Sequence, residues 1–513
     1  MLARGGPRTL RSAATSQWLP SSSIAARISP IQKRDLSISE LDAARKGRER
    51  VVVLGSGWGG FRISRDLDHR KYQLVVVSPR SYFVFTPLLA GTSVGTLEFR
   101  TVLEPVRHYR GRGVGAEFFQ GWADEVDFEK KVLTVEESVE DPLQGRALAT
   151  DRHAHETPQG RQQERQVEAK KGELFSMTYD KLVIAVGCYA QTFNTKGVKE
   201  NAYFLKDVGD ARKIRNRLLS CFEEAALPTT TEEMKKVFLN FAVVGGGPTG
   251  IEWSAELYDM VYEDMKRLYP ELIKYVKITV YDVAPTVLSM FDESLGKYAM
   301  KTFKRNGIEI KTSHHVEELR PGLPSGHEAP HGTKGGQSLY TLKTKEDGEM
   351  GVAMCVWSTG LMMNPFVANT LRDRVKRHEK TGGVITNAKF QVENPHGKPI
   401  PDVYAIGDCA TIEGTAYPAT AQVASQKAGW LAKRLNKNDI ESKEFQYKDL
   451  GVMAYIGNRK AIAQTAGGDI SGWLAWLIWR GAYVTKTISL RNKILIPIYW
   501  SINWLFGRDI SRF

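Results

Sequence analysis

Two stretches of the chain share one pattern of apolar and polar positions. In Arg50–Leu67 ("RVVVLGSGWGGFRISRDL") and Asn240–Leu257 ("NFAVVGGGPTGIEWSAEL"), an apolar run rich in β-branched residues leads into glycines and then into a helical segment. The pattern predicts a buried strand, a tight turn and a helix, in that order. Each unit continues into a second apolar strand, Tyr72–Arg80 in the first and, after a longer helical insert, Tyr275–Val283 in the second. Two short runs ending in a small residue and glycine, Lys181–Gly187 and Ala353–Gly360, read as the closing strands of the two units. A third, Pro401–Ala410, carries Gly407-Asp408 and returns the chain to the first unit. The duplication predicts an α/β chain with two Rossmann-like dinucleotide-binding domains, the second inserted in the first. Expected boundaries are 1–40 for a leader, 48–205 and 371–450 for the first domain, 206–370 for the second, and 451–513 for a C-terminal anchoring or dimerisation domain.

The glycines carry the chemistry. In such a unit the first glycine permits the turn, the second lets backbone approach a pyrophosphate, and the third lets the helix pack closely on the strand. The helix N-terminus then offers free N–H groups and a partial positive charge to the phosphates. Gly55, Gly57 and Gly60 fill these places in the first unit, and Gly245, Gly247 and Gly250 in the second. Asp282 closes the second strand of the second unit, where a carboxylate accepts hydrogen bonds from a ribose and repels an extra phosphate, so NADH is favoured over NADPH. The equivalent place in the first unit is Ser78-Pro79-Arg80, with no carboxylate. Two dinucleotides in one chain suggest one that stays and one that visits, with flavin as the resident because it accepts hydride from NADH. Asp408 stands at a strand end where it could hold a ribityl hydroxyl; alone, it would read as a helix cap.

Composition changes the picture in three places. The 513 residues carry a formal charge of +13, but residues 1–34 hold six Lys or Arg and no acid, with many Ser and Ala. That leader predicts a mitochondrial transit peptide, with a basic tail binding nucleic acid or lipid as the alternative. Its removal takes the formal charge down to +7, spread over the remaining body, for which no nucleic-acid partner is expected. Four scattered cysteines, Cys188, Cys221, Cys355 and Cys409, lack disulfide or metal spacing and read as bystander thiols, and no metal site is expected. The polar stretch 140–171 and the Gly/Pro-rich stretch 320–338 read as surface insertions, His327 and His331 included.

These residues resemble the two-dinucleotide-binding flavoproteins that include glutathione reductase and lipoamide dehydrogenase. The redox cysteine pair of those dithiol enzymes is missing, since no cysteine precedes Cys188. From Arg50 to Phe513 the chain is more closely similar to the alternative, type II NADH:ubiquinone oxidoreductases of mitochondria. The likeness rests on "SPRSYFVFTPLLAGTSVGTLE", "VVGGGPTGIEWSAEL", "YAIGDCA", "TAQVASQKAGWLAK", "LGVMAYIGNRKAI" and the terminal "WLIWRGAYVTKTIS" to "LFGRDISRF". The resemblance implies FAD against Gly55, Gly57, Gly60, Thr86, Pro87, Leu88 and Asp408. It implies NADH against Gly245, Gly247, Gly250, Asp282, Thr359 and Gly360. Glu252, expected in the first turn of the second fingerprint helix, falls where the family places a carboxylate near flavin and nicotinamide; a glutamate that only favours the helix dipole is the other reading. Gln422 and Gln426 share one helix face and become candidates for a ubiquinone pocket, where by themselves they read as an exposed polar pair. Tyr483 matches a family tyrosine on the quinone route.

The segment Ser471–Phe513 holds five tryptophans, six Lys or Arg and one acid. No run is long enough to span a bilayer, but apolar clusters broken by cations suit amphipathic helices lying in the headgroup region. Burial in a homodimer is the alternative, and both can hold. The expected function is a non-proton-pumping NADH:ubiquinone oxidoreductase on the mitochondrial inner membrane, on the matrix face rather than the intermembrane-space face because neither a stop-transfer segment nor a calcium loop is visible. Two rivals remain: a flavoprotein serving a soluble electron acceptor, and an NADH-binding signalling flavoprotein similar to apoptosis-inducing factor.

Overall fold

The computed structural model describes residues 37–108, 115–138, 172–325, 339–415 and 417–512. The leader up to residue 36, the whole of the 140–171 insertion and most of 320–338, with both of its histidines, lie outside them. Contact clustering separates residues up to Lys46 from Gly47–Phe513. In the first unit a short helix, Ile38–Ala43, starts at a capping box: the Ser37 hydroxyl accepts from Glu40 N while the Glu40 carboxylate accepts from Ser37 N.

In the larger unit the first fingerprint is strand β1 (Glu49–Leu54) and helix α1 (Trp58–Asp66). Strand β2 (Tyr72–Ser78) runs parallel to β1 on one side, and β3 (Glu117–Asp127) extends the sheet parallel to β2. Strands β4 (Val132–Glu137) and β5 (Leu174–Thr178) add an antiparallel meander. Strand β6 (Lys181–Ile184) pairs in parallel on the other side of β1.

Helix α2 (Val208–Ala226) leads into the second fingerprint, strand β7 (Asn240–Val244) and helix α3 (Pro248–Met260). Strands β8 (Lys277–Asp282), β9 (Glu309–Thr312) and β10 (Met354–Trp357) build a parallel sheet of order β10-β7-β8-β9, with Tyr203–Phe204 at its edge. Strand β11 (Pro399–Ala405) then returns to the first sheet and pairs in parallel with β6, Val403 opposite Leu182. The strands Val384–Thr386 and Gln391–Glu393 already belong to the first sheet beside β11, so the insertion into the first domain lies between β6 and Val384. The strands β1, β2, β7 and β8 are buried almost throughout, as parallel strands covered on both faces must be.

Helix α4 (Ala421–Lys437) starts at Thr420, whose hydroxyl accepts from Val423 N, and packs on α1. The hairpins of β12 (Val452–Tyr455), β13 (Ala461–Thr465) and β14 (Gly468–Gly472) follow. Helices α5 (Trp473–Lys486) and α6 (Leu490–Phe506) complete the chain. Their inner residues Ala475, Trp479, Ile496 and Trp500 are buried, while Trp473, Leu474, Leu477 and Ile478 of α5 and Leu490, Ile494, Ile498 and Ile502 of α6 are exposed. The α6 residues recur every fourth position, so they form one continuous outward apolar stripe. Among the described residues no helix is long and apolar enough to cross a membrane.

Candidate functional site

The two glycine turns are alike in detail. Gly55 and Gly245 sit at φ of +105° and +115°, which only glycine adopts without strain. A Cβ on Gly60 would lie 2.0 Å from the carbonyl of Gly55, and one on Gly250 would lie 2.0 Å from that of Gly245. First and third glycines are thus demanded by the protein's own packing. Gly57 and Gly247 differ: each is a helix N-cap without a side-chain partner, and a Cβ there would meet nothing within 4 Å. The room beside them fits a phosphate group, and the exposed N–H groups of α1 and α3 are donors for it.

One cavity of about 580 Å³ runs from the first glycine turn to the start of α3 at Pro248 and Thr249. Its wall takes in Gly55, Gly57, Thr86, Pro87 and Asp408 from the first domain, Glu252, Thr359 and Gly360 from the second, and Tyr483 from α5. Gly60, Leu88, Gly245, Gly247, Gly250 and Asp282 stand behind this wall or beyond it. Burial raises the Asp408 carboxyl above its ordinary pKa, against the pull of Lys206 and Lys427.

A carboxylate missing from the end of β2 is supplied from elsewhere in the chain. Arg80 binds Asp207 at 2.5 Å, and the Tyr82 hydroxyl donates to the other oxygen of Asp207 at 3.0 Å. Asp207 is buried, caps α2 and lines the cavity beside Ser78 and Arg80. No spacing rule could have found it, because it lies 127 residues beyond Arg80.

In the second unit Asp282 accepts hydrogen bonds from the backbone N–H groups of Gly246 and Ala284. It braces the glycine turn as well as marking the strand end.

Glu252 lies one residue past the first turn of α3, not within it, since the helix begins at Pro248. Its Oε1 accepts from Tyr455 N at 3.0 Å and from Trp479 Nε1 at 3.2 Å. Burial pushes its carboxyl up to about 8, so it is largely protonated at neutral pH. Tyr483 stacks edge-on against Trp479 at 4.9 Å and faces Phe85, and its buried hydroxyl is held well above the ordinary tyrosine range.

Gln422 and Gln426 do share one face of α4, yet neither is part of the cavity wall. Gln422 Oε1 accepts from Tyr447 OH and Leu450 N, and its Nε2 donates to Gly451 O. Gln426 donates to Lys448 O at 2.8 Å and accepts from Lys448 N at 3.1 Å. Both amides staple α4 to the extended segment 447–451 that leads into β12. All four cysteines are buried free thiols, and Cys188 lines the cavity with its thiol directed to Asp408 O. Among the described residues no group of His, Cys, Asp and Glu has the arrangement of a metal site.

The family pattern of the pyridine nucleotide-disulphide oxidoreductases matches residues 49–428, and that of the NDH2 C-terminal domain matches 450–509. The chain is 37% identical to a probable NADH dehydrogenase of Dictyostelium discoideum, over 91% of each chain. It is 34% identical to the external NADH-ubiquinone oxidoreductase 2 of Saccharomyces cerevisiae mitochondria, covering 90% of this chain and 82% of that one. It is 35% identical to the internal alternative NAD(P)H-ubiquinone oxidoreductase A1 of Solanum tuberosum mitochondria, covering 92% and 90%. Its fold matches that of NDH2 from Plasmodium falciparum in complex with NADH, with a TM-score of 0.75 at 24% identity over 90% of this chain and 100% of the other. The chain belongs to the pyridine nucleotide-disulphide oxidoreductase family, in the branch that carries the NDH2 C-terminal domain.

Proposed function

We propose that the chain is a mitochondrial type II NADH:ubiquinone oxidoreductase that moves no protons across the membrane. The observation that carries this reading is the single cavity bounded by both fingerprints, by Glu252 and by Tyr483 of the C-terminal domain. Residues 48–205 and 371–450 form the flavin domain, 206–370 the NADH domain, and 451–513 the membrane-facing domain.

Gly55, Gly57, Gly60, the Thr86-Pro87-Leu88 turn and Asp408 would hold FAD, which supplies a hydride acceptor able to pass two electrons on to ubiquinone. Gly245, Gly247 and Gly250 set the approach of the NADH pyrophosphate, and Thr359 and Gly360 close the strand end beside it. Asp282 faces the adenosine ribose and disfavours NADPH. Glu252 holds a proton at the cavity wall for the quinone oxygen, and the Trp479 and Tyr483 rings keep bulk water from that wall. Gln422 and Gln426 shape the quinone side through the segment 447–451 that they staple, rather than by their own amides.

The outward apolar stripes of α5 and α6 lie in the headgroup region of the inner membrane, with Lys486, Arg491 and Lys493 beside anionic lipid. We assign the matrix face, and residues 1–40 to the presequence that leads there. Relatives named external and internal match almost equally well, so the face is decided by comparing NADH oxidation in sealed and broken mitochondria. The same helices would bury further area in a homodimer, measurable as the mass of the detergent-solubilised protein. The direct test is NADH oxidation by the purified, flavin-loaded protein with a short-chain ubiquinone. Rapid quinol formation is expected, and flavin reduction without quinone turnover would sink the reading.

A further inference from the structure

The helix that carries Glu252 also carries Glu256 and Asp259 on the same face, one and two turns further on, and all three side chains are buried. Buried carboxylates in a row are costly unless each is bonded or neutral. Glu256 Oε2 accepts from Thr96 Oγ1 at 2.6 Å, and Thr96 in turn accepts from Arg508 Nε at 3.1 Å. Asp259 accepts from the Tyr455 hydroxyl through one oxygen and from Asn458 N, at 2.9 Å, through the other. Between Glu252 and Glu256 lies a separate void of about 10 Å³, also lined by Tyr455, Thr96, Trp479 and Trp500. Its size is about that of one water molecule, and its wall offers the polar partners that a water needs.

The outer end of this row, the buried Asp259, lies directly beneath an exposed turn. Asn458 and Arg459 form an exposed turn between β12 and β13, both in the left-handed conformation at φ of 51° and 56°. Asn458 N binds Asp259 and Arg459 N binds the Tyr455 hydroxyl, so the turn is fixed directly over the second carboxyl from Glu252.

The reaction balance requires a supply line. NADH + H⁺ + quinone gives NAD⁺ + quinol, so each turnover draws one proton from the medium while the acid at the cavity wall is buried. We infer that Asp259 and Glu256 form an inlet that carries this proton from the Asn458–Arg459 turn to Glu252. The inference rests on the quinone reductase reading above and adds the route by which Glu252 is re-protonated. A proton taken from water by the Asp259 carboxylate passes to Glu256, and from Glu256 through the void to Glu252. Only O–H bonds break and form, and no electrons move.

The burial that makes these groups costly as anions also tunes them for the task. The Asp259 carboxyl is pushed up to about 7, Glu256 is raised as well, and Glu252 lies at about 8. Asp259 and Glu252, at the two ends of the row, are close enough in affinity to exchange a proton in both directions. The other charged or titratable groups facing the row are Glu263, Tyr455, Arg480 and Arg508 toward Glu256, Tyr258, Tyr455 and Glu263 toward Asp259, and Tyr483 toward Glu252. Arg480 is occupied over the rings of Trp476 and Trp500, and Arg508 binds Glu263 and Asp264, so neither cation closes directly on Glu256.

Ferricyanide separates this role from a structural one, because it takes electrons from the enzyme without a proton. In the full-length, flavin-loaded protein, Glu256→Gln is expected to lower the ratio of quinone to ferricyanide rates about tenfold. The solvent deuterium isotope effect on the quinone rate should rise, and Glu256→Asp should restore part of the ratio. Asp259→Asn should act in the same direction, and it serves as the test if Glu256→Gln does not fold. Both rates falling together, or a ratio and isotope effect equal to wild type, overturns the inlet. A wild-type protein with no quinone activity at all overturns the functional reading, and the inlet with it.

Discussion

Glu252 shows how much of a residue's role is set by its surroundings. A carboxyl raised to about 8 in the folded protein binds a proton that the unfolded chain, near its ordinary value of 4.5, has released. Its contribution to stability is therefore fully present below about pH 4.5 and is lost as pH rises through 8. Glu252→Gln removes this titration. The variant is expected to gain on the wild type across that window, by an amount on the order of a few kcal/mol at pH 9. Thermal melts of the two proteins from pH 5 to 9 measure it, and parallel curves would contradict the assignment. The same substitution should slow quinone reduction at every pH. Asp282 braces the glycine turn and, in the proposed function, faces the ribose, and Asp282→Ala addresses both. It should narrow the preference for NADH over NADPH in kcat/KM, and it should also lower stability by about 1–3 kcal/mol because the Gly246 and Ala284 N–H groups lose their acceptor. An unchanged cofactor preference would place the ribose elsewhere.

At the scale of the element, the fingerprint glycines divide into those the protein needs and those a ligand needs. Gly60→Ala drives a methyl group into the Gly55 carbonyl and should destabilise the fold by about 3 kcal/mol or more. Gly57→Ala meets no protein atom, so the melting temperature of the flavin-free protein should hold while flavin is lost on gel filtration. Flavin retained by Gly57→Ala with an unchanged affinity would mean that no phosphate approaches that turn. The same elements were legible in the sequence for a local reason. A positive φ, a helix start and a close strand contact all involve residues within a few positions of one another. The C-terminal staples were not legible. Gln422 and Gln426 show only their shared helix face in sequence, and their partners at 447–451 are chosen by how α4 packs.

For the whole molecule, the outward face of α5 and α6 is the surface that the proposed function sets against the membrane. Replacing Trp473, Leu477 and Ile498 by glutamate changes exposed positions only and leaves Trp479, Ile496 and Trp500 packed against the core. The triple variant should keep its flavin and its melting temperature but fail to sediment with liposomes containing anionic lipid. Its activity should fall with long-tailed ubiquinone far more than with a water-soluble analogue. Undiminished sedimentation would remove the membrane from the proposal. Deleting the whole segment is a poorer test, because Trp479 covers Glu252 and Arg508 ties the chain end to Glu263 and Asp264.

The sequence by itself determined the two glycine fingerprints, the insertion of one α/β domain in the other, the family and the amphipathic C-terminal segment. The fingerprints and the C-terminal segment follow from short-range geometry and periodicity, the insertion from the order of the strands, and the family from the resemblance of its motifs, all of them written in neighbouring residues. Only the tertiary structure decided which carboxylate serves the end of β2, what the glutamines hold, and that Glu252 keeps a proton. Asp207 reaches Arg80 across 127 residues, Tyr455 reaches Glu252 across 203, and Trp479 across 227. The protonation of a buried carboxyl depends on the water that these distant groups exclude and on the bonds they offer, and neither exists until the chain has folded.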